Sequence, residues 1–257
     1  MGYGSGIILK TDEQIQTLRE ANQIVASTLS MLRERIAPGV STWQLDRWAD
    51  DYAQQLGGKP AFKGYRGYPA SLCVSLNEQV VHGIPSKRII LKEGDIVSID
   101  FGVKYKGFYG DSAVTIPVAQ ISTVWEKLIR VTEESLYKGI EQARPGNRVN
   151  DISLAVQTHV EQNGFSVVRQ YVGHGIGAKL HEPPEIPNYV RGERTPRLQP
   201  GMVLAIEPMV NAGTSDVLLL KDGWTVVTKD GAASAHFEHS VVVTDNEAII
   251  LSAATAM

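Results

Sequence analysis

The sequence predicts an α+β fold in which two related halves share a largely antiparallel sheet, and three observations support this. An internal repeat places Pro38 and Gly57 in register with Pro145 and Gly164, and both pairs have the same separation along the chain. Each half begins with two helical patterns and continues with strand patterns. The strands are joined by hairpin-type turns and do not alternate with helices, which favours antiparallel pairing and pseudo-twofold symmetry.

Two helices are predicted in each half. Helical periodicity covers residues 12–35 and 122–143, and a Pro-Gly pair follows each segment. Second helices are predicted from Ser41/Thr42 to Leu56 and from Asn150 to Gln162. In each of these, a Ser, Thr or Asn stands where a side-chain oxygen can accept hydrogen bonds from the free amides of the first turn.

The repeat extends into the strands. The segment LKEGDIVSID, which starts at Leu91, aligns with LQPGMVLAIE, which starts at Leu198, with the same separation as the Pro and Gly pairs. This alignment makes Asp100 the counterpart of Glu207, and both acids are expected to close a strand. Acids at equivalent positions indicate that the two halves meet at one site.

The composition is that of a globular protein with no bias towards nucleic acid or membrane. The 257 residues are 43% hydrophobic and 21% charged, and the net charge of -3 leaves no large basic excess for nucleic acid. Cys73 is the one cysteine, and no apolar run approaches the roughly 18 residues of a spanning helix, which fits a reducing, cytoplasmic setting. We expect one domain over residues 1–257, with duplicated halves at approximately 12–117 and 122–251.

Carboxylates interrupt the apolar strand patterns. The hairpin-like stretch VSIDFGVKYKGFYGDSAVT, residues 97–115, contains Asp100 and Asp111. Either acid alone is explained by a turn or an edge strand that faces water. Glu207 after MVLAI and Glu238 in HFEHSVVV raise the number of such acids to four. Because an ionised carboxylate in apolar surroundings must be neutralised, paired or metal-bound, the four together indicate a shared site.

His174 adds a nitrogen donor to this set. It stands in VGHGIGAKLHEPPEIPNY, where glycines on both sides permit a close backbone approach. Four carboxylates and one imidazole suit two divalent ions of the Mn, Fe, Co or Zn kind, whereas a single cysteine excludes a thiolate-bound structural zinc. Five donors shared by two ions require bridging carboxylates and an ion separation of about 3.5–4 Å.

The motifs around these residues occur in a recognisable order. In sequence they are SIDFG, GDSAVT, GHGIG, AIEPMV and FEHSVVVT, which hold Asp100, Asp111, His174, Glu207 and Glu238. Two further stretches match, GYPASLCVSLNEQVVHGIP at residues 67–85 and HEPPEIPNY at residues 181–189. In all of them the chain resembles the methionine aminopeptidases of type I, from about Thr11 to Leu251.

The resemblance implies a pita-bread fold (the creatinase/aminopeptidase fold), with a curved sheet and helices outside. It also implies removal of the initiator methionine from nascent proteins and peptides that carry a small second residue, with two divalent ions (Co, Mn, Fe or Zn). Asp100 would bind one ion, His174 and Glu207 the other, and Asp111 and Glu238 both. Glu207 would also shuttle the proton of a metal-bridging water that acts as the nucleophile.

Two histidines outside the ligand set resemble catalytic histidines of this family. His181 would hold the scissile carbonyl or its oxyanion, and His82 would face the peptide amide. His236 and His239 flank Glu238, and neither is expected to bind metal.

The resemblance further implies two binding sites. A methionine pocket would be lined by Tyr65, Tyr68, Cys73, Leu180 and Trp224, in addition to His82 and His181. Leu180 departs from the Phe that the family usually carries, so the shape of the pocket floor differs. Asn77, Ser234 and the carbonyl of Gln79 resemble a site for a monovalent cation, Na or K.

The implied partners are nascent polypeptide N-termini and the ribosome near its exit tunnel. The resemblance also implies a monomeric, cytoplasmic protein, and we expect no membrane role and no direct nucleic-acid role. Two alternatives stay open. One is an X-Pro aminopeptidase or prolidase on the same fold, although such relatives usually carry an additional N-terminal domain. The other is a non-catalytic, ribosome-associated binding module, for which eroded metal ligands would be expected.

Overall fold

The computed structural model describes residues 6–254. The ends of the domain predicted over 1–257, residues 1–5 and 255–257, lie outside the described residues. Within residues 6–254, no helix is both long and apolar enough to cross a membrane.

The helices agree closely with the sequence prediction. They are α1 (Asp12–Arg35), α2 (Thr42–Gln55), α3 (Thr123–Glu141) and α4 (Val149–Gln162), with a short 3₁₀ turn at Tyr65–Gly67. Ser41 caps α2 as predicted, because its side chain accepts from the Gln44 amide while the Gln44 side chain bonds the Ser41 backbone.

The predicted cap of α4 was wrong. This helix begins at Val149, so Asn150 lies inside its first turn. Asp151 Oδ2 accepts from the Arg148 amide at 2.6 Å, and Thr195 Oγ1 accepts from the Asn150 amide at 3.0 Å. An oxygen from a distant loop therefore satisfies an amide that the sequence assigned to a local cap.

The strands are short except for one long hairpin. They are β1 (Lys59–Pro60), β2 (Cys73–Leu76), β3 (Gln79–Val81), β4 (Ile96–Tyr105), β5 (Phe108–Pro117), β6 (Ser166–Val167), β7 (Gly173–Gly175), β8 (Glu182–Ile186), β9 (Val203–Ile206), β10 (Met209–Asn211), β11 (Val217–Leu219), β12 (Val226–Thr228), β13 (Ser234–His236), β14 (Glu238–Val242) and β15 (Ile249–Ile250).

A nine-stranded sheet joins both halves. Its order is β1-β4-β5-β14-β9-β7-β8, with β2 also paired to β4 and β15 to β14. Two three-stranded sheets, β13-β10-β6 and β11-β12-β3, complete the strand pairing within residues 6–254. The pairs are antiparallel, which confirms the predicted sheet type. Because β5 of the first half pairs with β14 of the second, the halves share one sheet as predicted.

The internal repeat recurs in the structure. Helices α2 and α4 have equal lengths, and their first and last residues correspond at the same separation as the sequence repeat. An isolated bridge pairs Ser41 with Ile90, and its counterpart pairs Arg148 with Arg197. The amide that follows each bridge, at Leu91 in one half and at Leu198 in the other, donates to a carbonyl beside the helix start, at 2.8 Å and 2.9 Å. The repeat is therefore visible in these helix bounds and backbone contacts as well as in the sequence.

Helix α1 packs directly on the β4–β5 hairpin. Leu18 and Val25 are fully buried on its inner face. At Gly110 in β5, an added Cβ would lie 2.7 Å from the Asn22 backbone nitrogen, so the helix and strand backbones approach closely. The Asn22 side chain accepts from the Asp111 amide at 3.2 Å, which ties the helix to a site residue.

Candidate metal centre and substrate cavity

The β4–β5 hairpin places two carboxylates on one face of the sheet. Asp100 pairs with Ala113, and Asp111 pairs with Gly102. Directly opposed residues share a face and side chains alternate along a strand, so Asp100 and Asp111 are diagonal neighbours. The turn is shorter than the sequence indicated, because it consists of Lys106 and Gly107, both with positive φ.

The neighbouring strands bring in the other donors. Glu238 begins β14 and pairs with Ala113, the residue opposite Asp100. His174 is the middle residue of β7 and pairs with Ala205 in β9. Glu207 follows β9 directly, as predicted, whereas Asp100 lies within β4 and does not close it. Neighbouring strands of one sheet thus deliver the five predicted donors to one place.

Three of these donors form a compact group. One donor atom each from Asp111, His174 and Glu238 lies within 4.8 Å of the others. Glu207 adjoins this group, with Oε1 at 3.4 Å from His174 Nε2. The Asn188 side chain donates to the Glu207 carbonyl at 3.0 Å and fixes the backbone there.

The glycines around His174 allow its strand to fit between two neighbours. An added Cβ at Gly173 would collide with the carbonyl oxygen of Ala205 in β9, and one at Gly175 with that of Pro183 in β8. The close approach expected from the sequence is therefore to protein backbone. His174 itself is held by a 2.9 Å contact from Nδ1 to the Gly175 carbonyl. Because a carbonyl can only accept, Nδ1 carries the proton and Nε2 presents a lone pair.

Three of the carboxyl groups each have a buried oxygen without a partner within the described residues. Asp100 Oδ1, Asp111 Oδ1 and Glu238 Oε1 are buried and have no hydrogen-bond partner among residues 6–254. Burial raises the pKa of Asp100 to about 7 and that of Glu207 to about 8. Burial and the charge of Asp100 raise the pKa of Asp111 well above its ordinary value. Burial and the charge of Asp111 do the same for the pKa of Glu238.

This donor set fits divalent metal. Burial lowers the pKa of His174 to about 3, so the imidazole is neutral and its Nε2 lone pair faces the Glu207 carboxylate. Two hydrogen-bond acceptors at that distance repel each other unless a proton or a cation lies between them. The carboxyl groups are clustered, burial suppresses their ionisation, and an imidazole lone pair lies beside them. Mn, Fe, Co and Zn accept carboxylate oxygens and imidazole nitrogens as ligands.

A cavity of about 160 Å³ opens beside the donors. Its walls include all five donors, and its other lining residues are Phe62, Tyr65, Arg66, Tyr68, Cys73, His82, Leu180, His181 and Trp224. The residues that the sequence assigned to substrate binding are thus all brought together. Phe62 and Arg66 were not predicted as site residues.

Aromatic contacts fix the shape of this cavity. Tyr68 and Trp224 meet edge-to-face with ring centroids 5.1 Å apart, and the Tyr68 hydroxyl donates to the Gly83 carbonyl at 2.8 Å. His82 meets Trp224 at 6.3 Å and adopts a left-handed backbone with φ of +60°, a strained conformation that is common at functional sites. Burial lowers the pKa of His82 to about 4.

His181 is oriented by a tyrosine. Its Nδ1 lies 2.8 Å from the Tyr65 hydroxyl, and the two rings stack at 5.3 Å. The ring also lies 4.3 Å from that of His174. Burial, followed by the charge of Arg66, lowers the pKa of His181. If the Tyr65 hydroxyl donates to Nδ1, the neutral ring carries its proton on Nε2.

The extra length of the second half lies at this cavity. The separation between Asp111 and Glu238 along the chain is longer than the separation between repeat counterparts such as Asp100 and Glu207. The added chain includes β11 and β12, and Trp224 lies in the turn that connects them. Because β12 pairs with β3, the turn is brought close to His82.

His236 adjoins the site although the sequence did not assign it there. Its Nε2 lies 3.7 Å from Glu207 Oε2, and the residue is buried. His239, which directly follows Glu238 in the chain, instead contacts the Ser252 hydroxyl through Nδ1 at 2.8 Å. Strand alternation is the signal that separates the two, since His236 is two residues from Glu238 and shares its face, whereas His239 is the next residue and faces the other way.

The three residues predicted to bind a monovalent cation lie close to one another, and hydrogen bonds occupy several of their polar atoms. The Asn77 side chain donates to Asp95 and accepts from the Ile96 amide, both at 3.0 Å. The backbone carbonyl of Asn77 accepts from the Ser234 amide at 2.8 Å. Gln79 follows closely in the chain and accepts from the Leu76 amide through its side chain at 3.0 Å.

Comparison with known proteins assigns the chain to a family. The sequence profile of metallopeptidase family M24 matches residues 16–245. The chain belongs to this metallopeptidase family. A curated relative in the family, "Methionine aminopeptidase 1" of Bacillus subtilis (strain 168), is 54% identical over 96% of this chain and 99% of its own length. "Methionine aminopeptidase" of Escherichia coli (strain K12) is 46% identical over 96% of this chain and 94% of its own.

Solved structures agree with this M24 assignment. Methionine aminopeptidase from Thermotoga maritima matches with a TM-score of 0.94 and 47% identity, over 96% of this chain and 99% of that one. Prolidase from Pyrococcus furiosus matches with a TM-score of 0.79 over 97% of this chain and 66% of that one, but at 22% identity this likeness shows the fold alone. The fold is the pita-bread fold, as the resemblance implied.

Proposed function

We propose that this M24 metallopeptidase removes N-terminal methionine from nascent proteins and peptides, with a preference for a small second residue. The observation that carries the proposal is that four carboxyl groups and one imidazole, all of them chemically able to bind metal, line a cavity of about 160 Å³. Donors at the wall of a small cavity suit an exopeptidase, because the cavity receives one side chain while the scissile bond lies at the metals.

Two divalent ions, Co, Mn, Fe or Zn, are the proposed cofactors. Asp100 would bind one ion, His174 and Glu207 the other, and Asp111 and Glu238 both. When bound, such ions supply Lewis acidity that polarises a carbonyl and lowers the pKa of water. A monovalent cation, Na or K, would bind at Asn77, Gln79 and Ser234.

The side chains around the donors supply proton transfer and orientation. Glu207 would take a proton from water and return it to the leaving amine, a role for a positioned carboxyl group. His181, oriented by Tyr65, would donate from Nε2 to the scissile carbonyl as negative charge develops on its oxygen. His82 would face the peptide amide.

The cavity suits a thioether. Tyr68 and Trp224 present ring edges and faces, and sulfur–aromatic contacts favour methionine over a branched aliphatic side chain. Leu180, which is 2% exposed, forms part of the wall with Cys73 and Tyr65.

We further propose that the chain acts as a single catalytic domain over residues 1–257, as a cytoplasmic monomer. It would act on polypeptides as they leave the ribosome, near the exit tunnel. We expect no membrane role and no direct nucleic-acid role.

A peptide assay tests the reaction against its alternatives. With added Mn²⁺ or Co²⁺, we expect release of free methionine from Met-Gly-Met-Met and no cleavage of an X-Pro dipeptide. Cleavage of the dipeptide alone would favour the X-Pro alternative. No cleavage of either peptide with any divalent ion would favour a non-catalytic binding module.

A further inference from the structure

His236 is a buried polar side chain that faces the site and that the proposed reaction does not yet use. It ends β13, shortly before Glu238, and is 2% exposed. Its Nε2 is buried and has no hydrogen-bond partner within residues 6–254. The nearest acidic oxygen is Glu207 Oε2, at 3.7 Å. A buried donor without a partner calls for an explanation in a folded protein.

The backbone of His236 is fixed from the first half of the chain. The Thr115 hydroxyl donates to the His236 carbonyl at 2.9 Å and accepts from the His236 amide at 2.8 Å. Thr115 is in turn 2.8 Å from the Ser98 hydroxyl. Ser98 and Thr115 oppose each other on the hairpin face that carries Asp100 and Asp111. The same hairpin face therefore sets both the carboxylates and the position of His236.

Glu207 lies between two imidazoles of opposite character. On one side, His174 Nε2 lies 3.4 Å from Oε1 and presents a lone pair, because Nδ1 bonds the Gly175 carbonyl. On the other side, His236 Nε2 lies 3.7 Å from Oε2. When metal holds Glu207 in its ionised form, a second lone pair there would repel the carboxylate, so a proton on His236 Nε2 is the favourable tautomer.

We propose that His236 is a positioning residue for Glu207. Its Nε2–H donates to Glu207 Oε2 in the working site and turns Oε1 towards His174. A closure of about half an ångström brings the present separation into hydrogen-bond range, and such contacts commonly tighten when substrate binds. This inference rests on the role proposed for Glu207, and it adds the group that orients that carboxylate.

Three substitutions separate orientation from packing. Gln places an amide N–H close to the position of Nε2, Asn places it close to Nδ1, and Leu removes the donor. We expect His236→Leu and His236→Asn to lower kcat for Met-Gly-Met-Met about 10- to 100-fold with little change in KM, as for other groups that orient metal ligands. His236→Gln should retain kcat within a few fold.

Two further readouts do not depend on turnover. Calorimetric Mn²⁺ affinity should fall for the Leu and Asn variants more than for the Gln variant, since Glu207 is a proposed ligand. The Tm of the metal-free protein should not fall in the Gln and Asn variants, because Nε2 has no bond to lose. His239→Gln, on the far side of Glu238, is the matched control and should keep wild-type kcat.

Two results would overturn the proposal. One is a folded Leu or Asn variant with wild-type kcat and Mn²⁺ affinity. The other is a Gln variant that loses as much as Leu. If Leu does not fold, the comparison of Gln with Asn decides. If the wild-type protein cleaves no methionyl peptide, the proposed function fails by itself, and the order of Mn²⁺ affinities among the variants still tests His236.

Discussion

At the scale of single residues, the proposed reaction requires Glu207 both to bind metal and to transfer a proton. Its pKa of about 8 follows from burial, its carbonyl is held by Asn188, and its two oxygens face His174 and His236. A carboxyl group that is held in this way is positioned to exchange a proton with water at the site.

Replacing Glu207 by Gln tests this role. The amide keeps the shape of the side chain and cannot carry a transferable proton, so we expect kcat to fall about 10²- to 10⁴-fold. The Tm of the metal-free protein should not fall, because a neutral group replaces one whose ionisation burial disfavours. Steady-state kinetics and thermal unfolding measure the two effects. Undiminished turnover would refute the assignment.

Trp224 is expected to act on selectivity. Because its ring packs against Tyr68 and lines the cavity, Trp224→Ala should enlarge the pocket, raise KM for methionyl peptides and admit other first residues. Competing peptides that differ in the first residue measure the change. Trp43, which is 38% exposed on α2, supplies the control substitution and should leave selectivity unaltered. Unchanged kinetics for Trp224→Ala would count against a role in the pocket.

At the scale of elements, the β4–β5 hairpin carries most of the site. It holds Asp100 and Asp111, and it fixes the backbone of His236 through Thr115. Its position depends on contact with α1, where Gly110 leaves room for the helix backbone.

Gly110→Ala should therefore disturb both stability and the site. The added Cβ meets the α1 backbone, which cannot move aside as a side chain can, and overpacking of this kind costs about 1–3 kcal/mol of unfolding free energy. Urea denaturation measures the loss, and kcat should fall because Asp111 is the next residue. Gly192→Ala, where an added Cβ meets nothing within 4 Å, is the control. Equal stability of the two variants would contradict this view of the contact.

The elements also show which features a sequence reveals. The acids in apolar strands, the repeat and the helix boundaries were predictable, because local patterning determines them. The cap of α4 was not, since Thr195 reaches it from a loop that is distant in sequence. His236 was missed because a histidine in a strand looks the same whether it packs in a core or faces an acid. Alternation places His236 on the face of Glu238, and the contacts with Glu207 and Thr115 show that this face adjoins the site.

At the scale of the whole molecule, the raised carboxyl pKa values link stability to pH. Carboxyl groups with raised folded-state pKa values stabilise the fold fully below their unfolded pKa, and this stability is lost as pH rises through the folded values of about 7 for Asp100 and about 8 for Glu207. The buried histidines, whose pKa values are lowered, act in the opposite sense below their ordinary 6.5.

Between about pH 6.5 and 8.5 the carboxyl groups alone should dominate this dependence. We expect the Tm of chelator-treated protein to fall across that range. Saturating Mn²⁺ should raise the Tm more at the upper end of this range. There the carboxyl groups have lost the protons that compete with metal, so metal binds more tightly. Thermal unfolding with and without metal measures both trends. A flat profile, or a rise of Tm with pH in the chelated protein, would contradict the assigned pKa directions.

The central claim is that the five clustered donors hold the divalent ions on which methionine removal depends. A titration of metal-free protein with Mn²⁺, Co²⁺, Fe²⁺ and Zn²⁺, with methionine release and bound-metal stoichiometry read on the same samples, tests it most directly. We predict no turnover without metal, activity that rises as ions bind, and saturation at about two ions per chain. Full activity after complete metal removal, or divalent ions that bind without any gain in rate, would contradict the account.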